Sequence, residues 1–182
     1  MGQADVWIVL TEGGGGLEQF AAQNFNRPDL VVILDFYHAA DYLKELARVL
    51  YPQEPEQAQE QGEQWCRLLK AEGGATTLAV LQQWDWPLRQ GAALRQQRAK
   101  VEGYFTNNLH RMDYPEYEAE GWQIGSGVVE SACKTVVGQR LKGAGMRWGE
   151  DGAHALCHVR ALYRSEKGQW DAFWSPALSV NF

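Results

Sequence analysis

Two short apolar runs, Val6–Thr11 and Leu30–Leu34, constrain the fold of this chain more than any other feature. Both have the β-branched bias of buried strands. Gly13–Gly16 breaks the first run. Leu17–Phe25 then reads as a short helix with Leu17, Phe20 and Ala21 on one face, and Asn26-Arg27-Pro28-Asp29 reads as a turn. Strand, helix and strand within about 30 residues is the smallest βαβ unit, and it makes the two strands parallel.

The rest of the chain reads as helix. Ala39, Ala40, Leu43, Leu46, Ala47 and Leu50 recur at three and four residues, so a helix is expected from Ala39. Pro52–Gly62, rich in Gln, Glu and Pro, reads as a loop running into a polar helix start. Trp65–Ala71, Thr76–Trp84 and Leu88–Met112 follow as helices, with Gly73-Gly74 and Pro87 as breaks. Tyr114–Gly121 is acidic and irregular. Gly127–Lys142 is expected as a helix with Ser126 as N-cap. Gly143–Gly149 reads as a loop, Glu150–Arg164 as a helix and Trp170–Trp174 as a short last one.

With 182 residues and 45% apolar side chains the chain is globular, and it is long enough for one domain with a real core. No apolar run approaches the ~20 residues of a membrane span, and no basic-then-apolar start suggests a signal peptide. Cys66, Cys133 and Cys157 are odd in number and far apart, which fits reduced thiols and a cytoplasmic location. The net charge of −6 is unevenly spread: residues 1–120 carry −8 and residues 121–182 carry +2. Lys134, Arg140, Lys142 and Arg147 fall within 14 residues that contain no acid. A polyanion would be met there, although such a run also suits a solvated helix face.

Two carboxylates stand out. Asp35 ends the second apolar run and opens Asp-Phe-Tyr-His. An acid at the C-terminal end of a parallel strand projects into the crevice where α/β sheets place ligands, and there it suits Mg²⁺. The same position also suits a helix N-cap. His38 alone reads more readily as a packed histidine than as a ligand. Glu130 lies in a helical stretch and shares a face with Lys134, the spacing of an ordinary surface pair. Gly125, Ser126 and Gly127 let another chain approach its helix start closely. Thr11-Glu12-Gly13-Gly14-Gly15-Gly16 fails both the dinucleotide and the Walker patterns. His154 and His158 have zinc-compatible spacing but lack the Glu after the first His and any nearby cysteine pair.

Three runs carry a family resemblance: Trp7–Leu17 (WIVLTEGGGGL), Val31–Ala40 (VVILDFYHAA) and Gly121–Arg164. Together they resemble bacterial insertion-sequence transposases of the RNase H-like DDE type, the ISKra group within the Mutator-like assemblage. The resemblance implies an α/β fold: a partial RNase H-like core with short parallel strands (residues 1–38), a large all-helical insertion (39–115), and a helical C-terminal part bearing the catalytic Glu helix (116–182). It implies Mg²⁺- or Mn²⁺-dependent cleavage and strand transfer at the DNA ends of an insertion element, by an oligomeric enzyme of identical subunits with no membrane role. Glu130 matches the last acid of the family pattern, and Asp35 and His38 match its Asp-x-x-His. Glu12 stands where the family's Gly-rich run opens with Asp. Metal ligation then falls to Glu12, Asp35 and Glu130, with His38 beside the site, and phosphate contact to Lys134, Arg140, Lys142 and Arg147.

The resemblance also places a first acid on a strand earlier than any in this sequence, so a C-terminal fragment with an incomplete site is expected. A rival alignment makes Glu12, Asp35 and Glu130 the complete triad. The non-enzymatic alternative is a transposase remnant that binds DNA or the full-length enzyme.

Overall fold

The computed structural model of the protein describes residues 5–25, 27–88, 91–165 and 167–175. They fall into two compact bodies, one running up to Ser126 and one from Gly127 onward.

The first body opens with the βαβ unit. Strand β1 (Trp7–Thr11), helix α1 (Leu17–Phe25) and strand β2 (Leu30–Leu34) form a parallel pair in which Trp7 lies beside Leu30 and Thr11 beside Leu34. Strand β1 starts one residue later than the apolar run. Arg27 and Asp29 close the turn before β2 with an ion pair at 2.6 Å, and the Trp7 N–H donates to the Asp29 carbonyl at 3.0 Å. Asn26, also expected in this turn, lies outside the described residues.

Helix α2 (Phe36–Leu50) begins three residues before the expected Ala39. Periodicity misses this first turn because a cap starts it: the Asp35 carboxylate accepts the His38 N–H at 3.0 Å. Phe36, Ala39, Ala40, Leu43, Leu46 and Ala47 are all buried, the stripe expected of a helix lying along a core.

Helix α3 (Pro55–Gln83) replaces most of the loop expected over Pro52–Gly62. Proline fits the first helical turn, where its missing N–H would have no partner anyway. Gly62 then lies against the Lys44 backbone, so that α2 and α3 pack closely. The expected break is present but narrower. Gly73 alone leaves helical geometry, at φ 76°, a region L side chains avoid. The Gly74 N–H, redirected by this kink, donates to the Met112 carbonyl at 2.9 Å.

Helix α4 (Ala92–Asn108) starts later than the expected Leu88, and residues 89–90 lie outside the described set. A single 3₁₀ turn (Leu109–Arg111) leads to α5 (Tyr114–Ala119), in a stretch expected to be irregular. Ile33, Leu34, Leu43, Trp65, Phe105 and Tyr114 are almost wholly buried in one cluster shared by strand β2 and the helices. Trp65 is buried in it, and the partly buried Trp84 and Trp86 pack against it edge-on or tilted.

The second body is all helix. The segment expected as one helix over Gly127–Lys142 is three: α6 (Gly127–Ala132), a π-helical stretch (Cys133–Gly138) and α7 (Gln139–Leu141). Helices α8 (Glu150–Arg164) and α9 (Lys167–Trp174) follow, the latter starting three residues earlier than expected. A π-turn widens the helix and misaligns its carbonyls. Here Arg160 of α8 donates to the carbonyls of Thr135 and Val136, the latter at 3.1 Å. None of the described residues of this body is buried. All three cysteines are free thiols. Among the described residues no helix is long and apolar enough to cross a membrane.

Candidate active site

The register of the parallel pair fixes the rim. Thr11 and Leu34 are the last paired residues, so Glu12 and Asp35 leave neighbouring strands at the same C-terminal end. The Asp35 N–H donates to the Thr11 carbonyl at 2.7 Å, which carries the ladder one step past β2. Ligands of parallel sheets gather at this end.

Asp35 is only 3% exposed, and each of its carboxylate oxygens accepts a hydrogen bond. One oxygen accepts the His38 N–H at 3.0 Å, and the other accepts the Ser126 N–H at 2.6 Å. Burial is the largest single influence on its proton affinity and opposes ionisation. Hydrogen bonds from the Ser126 hydroxyl and N–H, and from the N–H groups of His38 and Tyr37, together outweigh it and hold the carboxyl below its ordinary value. Asp35 is therefore an anion fixed in place, and it is also a helix cap. Of the two readings its sequence position allowed, the helix cap is the one observed.

The bond to Ser126 spans 91 positions. Just beside it, the Phe36 N–H donates to the Ile124 carbonyl at 2.8 Å. Two of the runs singled out in the sequence, Val31–Ala40 and the one beginning at Gly121, thus meet at Asp35.

His38 is half-buried, its ring 5.7 Å from that of Tyr42 and 6.2 Å from that of Tyr104. Tyr42 and Tyr104 stack on each other at 4.0 Å, and Lys100 lies over the Tyr42 ring. The Tyr104 hydroxyl donates to the Glu12 carbonyl at 3.3 Å. Burial raises the Tyr104 phenol far above its usual range, so it stays a donor. The Glu12 side chain itself is exposed.

Arg111 is the rim residue that no sequence signal marked. It is 5% exposed and donates to the Thr11 hydroxyl at 3.0 Å and to the Asn108 side-chain oxygen, with Glu18 of α1 at 3.7 Å. Its Nε is buried without a hydrogen-bond partner. His110 holds the other Glu18 oxygen at 2.9 Å. Arg111 could not be picked out because two of its partners lie more than 90 residues earlier. Its charge beneath the end of β1 favours anions at the rim.

Glu130 belongs to the second body, where it is exposed on the first turn of α6. Lys134, Arg140, Lys142 and Arg147 are all exposed there as well, as are His154 and His158. Among the described residues no group of three or more His, Cys, Asp or Glu side chains gathers as a metal site. The rim of the first body offers two carboxylates, one fixed and ionised. Glu12 and Asp35 are the rim residues whose oxygens could take part in holding a divalent cation.

No family model, no curated protein and no solved structure matches this chain.

Proposed function

We propose that the chain is the catalytic part of a DDE-type DNA transposase acting at the ends of an insertion element. The observation that carries this reading is the double anchorage of Asp35. Its carboxylate ties the end of a parallel strand to Ser126, four residues before Glu130 in the sequence. Asp35 is thereby held as an anion at the strand end, where the family resemblance asks for an acid, and Glu130 is the acid that the resemblance pairs with it.

Glu12, Asp35 and Glu130 would hold Mg²⁺ or Mn²⁺. When bound, such an ion supplies charge stabilisation for attack on a phosphodiester and for the departing oxygen. The chain's own residues prepare the rest. The N–H groups of His38 and Ser126 keep Asp35 ionised and its oxygens oriented. Arg111 adds positive potential under the rim without reaching solvent. Lys134, Arg140, Lys142 and Arg147 contact DNA phosphates and set register on the duplex. The enzyme works in the cytoplasm as an oligomer of identical subunits.

A second reading is favoured by the lack of a three-ligand group among the described residues. In it the chain binds DNA, or a complete transposase, without cutting. A Mg²⁺-dependent nicking assay separates the two on supercoiled plasmid carrying the DNA that flanks the gene. Cutting that is lost in Glu130→Gln while DNA binding persists supports the enzyme. Binding without cutting by the unmodified chain supports the second reading. Neither binding nor cutting overturns both.

A further inference from the structure

Tyr37 is the large side chain beside Asp35 that the fold leaves uncovered. It is 63% exposed, although its neighbours Phe36 and Asp35 are buried. An exposed aromatic ring is unremarkable when it is free to move, but this one is held on two sides. The Phe36 ring meets it edge-on at 5.4 Å and 78°. Gly125 lies directly against its other edge. A methyl group at position 125 would fall 2.5 Å from Tyr37 Cε2 and 2.6 Å from Cδ2, closer than any carbon pair tolerates.

The backbone around the ring is equally fixed. The Phe36 N–H is bonded to Ile124, and Ser126 is bonded to Asp35, so the segment carrying Gly125 is fastened on both sides. The lack of a side chain at Gly125 gives the ring a slot. A ring held beside Phe36 and Gly125 with 63% of its surface exposed has room to receive something flat. A buried cap in the same turn makes its position reproducible.

We propose that Tyr37 is a stacking platform for one unpaired nucleobase of the DNA. The subsite rests on the transposase reading above and adds to it a preference for DNA with an unstacked nucleotide at the rim. A base offers a planar π-face regardless of its identity, so the platform binds without reading sequence. Fully paired duplex has no free face to offer and gains nothing from Tyr37.

The test uses the full chain and an oligonucleotide duplex with one unpaired 2-aminopurine at its end, whose fluorescence falls on stacking. Binding is followed by anisotropy and stacking by quenching. The unmodified chain is expected to quench the probe. Tyr37→Ala should abolish quenching and weaken binding about 5- to 150-fold, the range for losing one base–aromatic stack. Binding to fully paired duplex should not change. Tyr37→Phe should behave like the unmodified chain. Gly125→Ala, which pushes the ring out of its slot, should lose quenching while Tyr37 is still present.

Equal quenching and affinity in Tyr37→Ala overturn the platform and leave the DNA reading standing. No binding of either oligonucleotide by the unmodified chain overturns both. If Tyr37→Ala instead halves the sedimenting mass without affecting quenching, the ring is a contact between copies and the proposal fails.

Discussion

Every buried apolar side chain among the described residues lies between Ala21 and Tyr117, whereas the body that starts at Gly127 buries none. The two bodies hold their shapes by different means. In the first, a stripe on α2, the kinked α3 and the tryptophan cluster remove apolar surface from water. In the second, Arg160 satisfies carbonyls of the π-helical stretch, and Tyr163, Trp170 and Trp174 meet edge to face while Tyr163 and Trp174 stay 60% exposed. A segment of 56 residues is close to the size at which a single core is marginal even when well packed. Stability resides in the body with the fixed carboxylate. Lys134, Arg140, Lys142 and Arg147 reside, exposed, in the body that buries none of its described side chains.

The sharpest way to break this comparison is Trp65→Ala. Removing a side chain that is 1% exposed from the core should cost about 3–5 kcal/mol and shift the main urea transition strongly. A minor, earlier transition from the second body should stay where it was. One shared transition that moves as a unit would show that the two bodies stabilise each other.

Asp35→Asn comes next. It replaces an acceptor facing the Ser126 N–H with an amide donor, so a loss of about 1–3 kcal/mol at neutral pH is expected in chemical denaturation. Its pH dependence sharpens the test. The folded state lowers the Asp35 carboxyl below its unfolded value. Its contribution is therefore fully present above the ordinary carboxylate range, near pH 4. It is lost as pH falls through the lowered folded value. The variant should lose that part of the acid limb, and the difference between the two proteins should vanish in strong acid.

Arg160→Ala is the mildest change. It leaves the Thr135 and Val136 carbonyls to water and should cost about 1 kcal/mol, confined to the second body. Hydrogen exchange should quicken over Cys133–Gly138 and stay unchanged in α2 and α3. Faster exchange throughout α2 would erase the distinction between the bodies.

Local signals made much of the first body legible. The β-branched runs mark both strands, the spacing from Ala39 marks the buried face of α2, and the paired glycines mark the kink in α3. What escaped depends on partners remote in sequence. The first turn of α2 exists through a cap, and α3 extends back to Pro55 because Gly62 fits against Lys44. The π-helical stretch looks like plain helix in sequence, since its widened turns are supported by Arg160 from another element. At the rim, Asp35 was visible from its place at a strand end. Arg111 was not, and Ser126 was marked only as a helix cap, because the contacts that tie them to the rim span roughly 90 to 100 positions.

The long reach from Asp35 to Ser126 has a consequence for the newly made chain. A ribosome adding about 5–20 residues per second needs roughly 5–18 s to supply the second donor after the carboxylate has been synthesised. During that interval α2 has its own cap but lacks the strap from Ile124 to Ser126. The strand end and helix start must wait for translation to catch up, which makes this junction one of the last parts of the core to close.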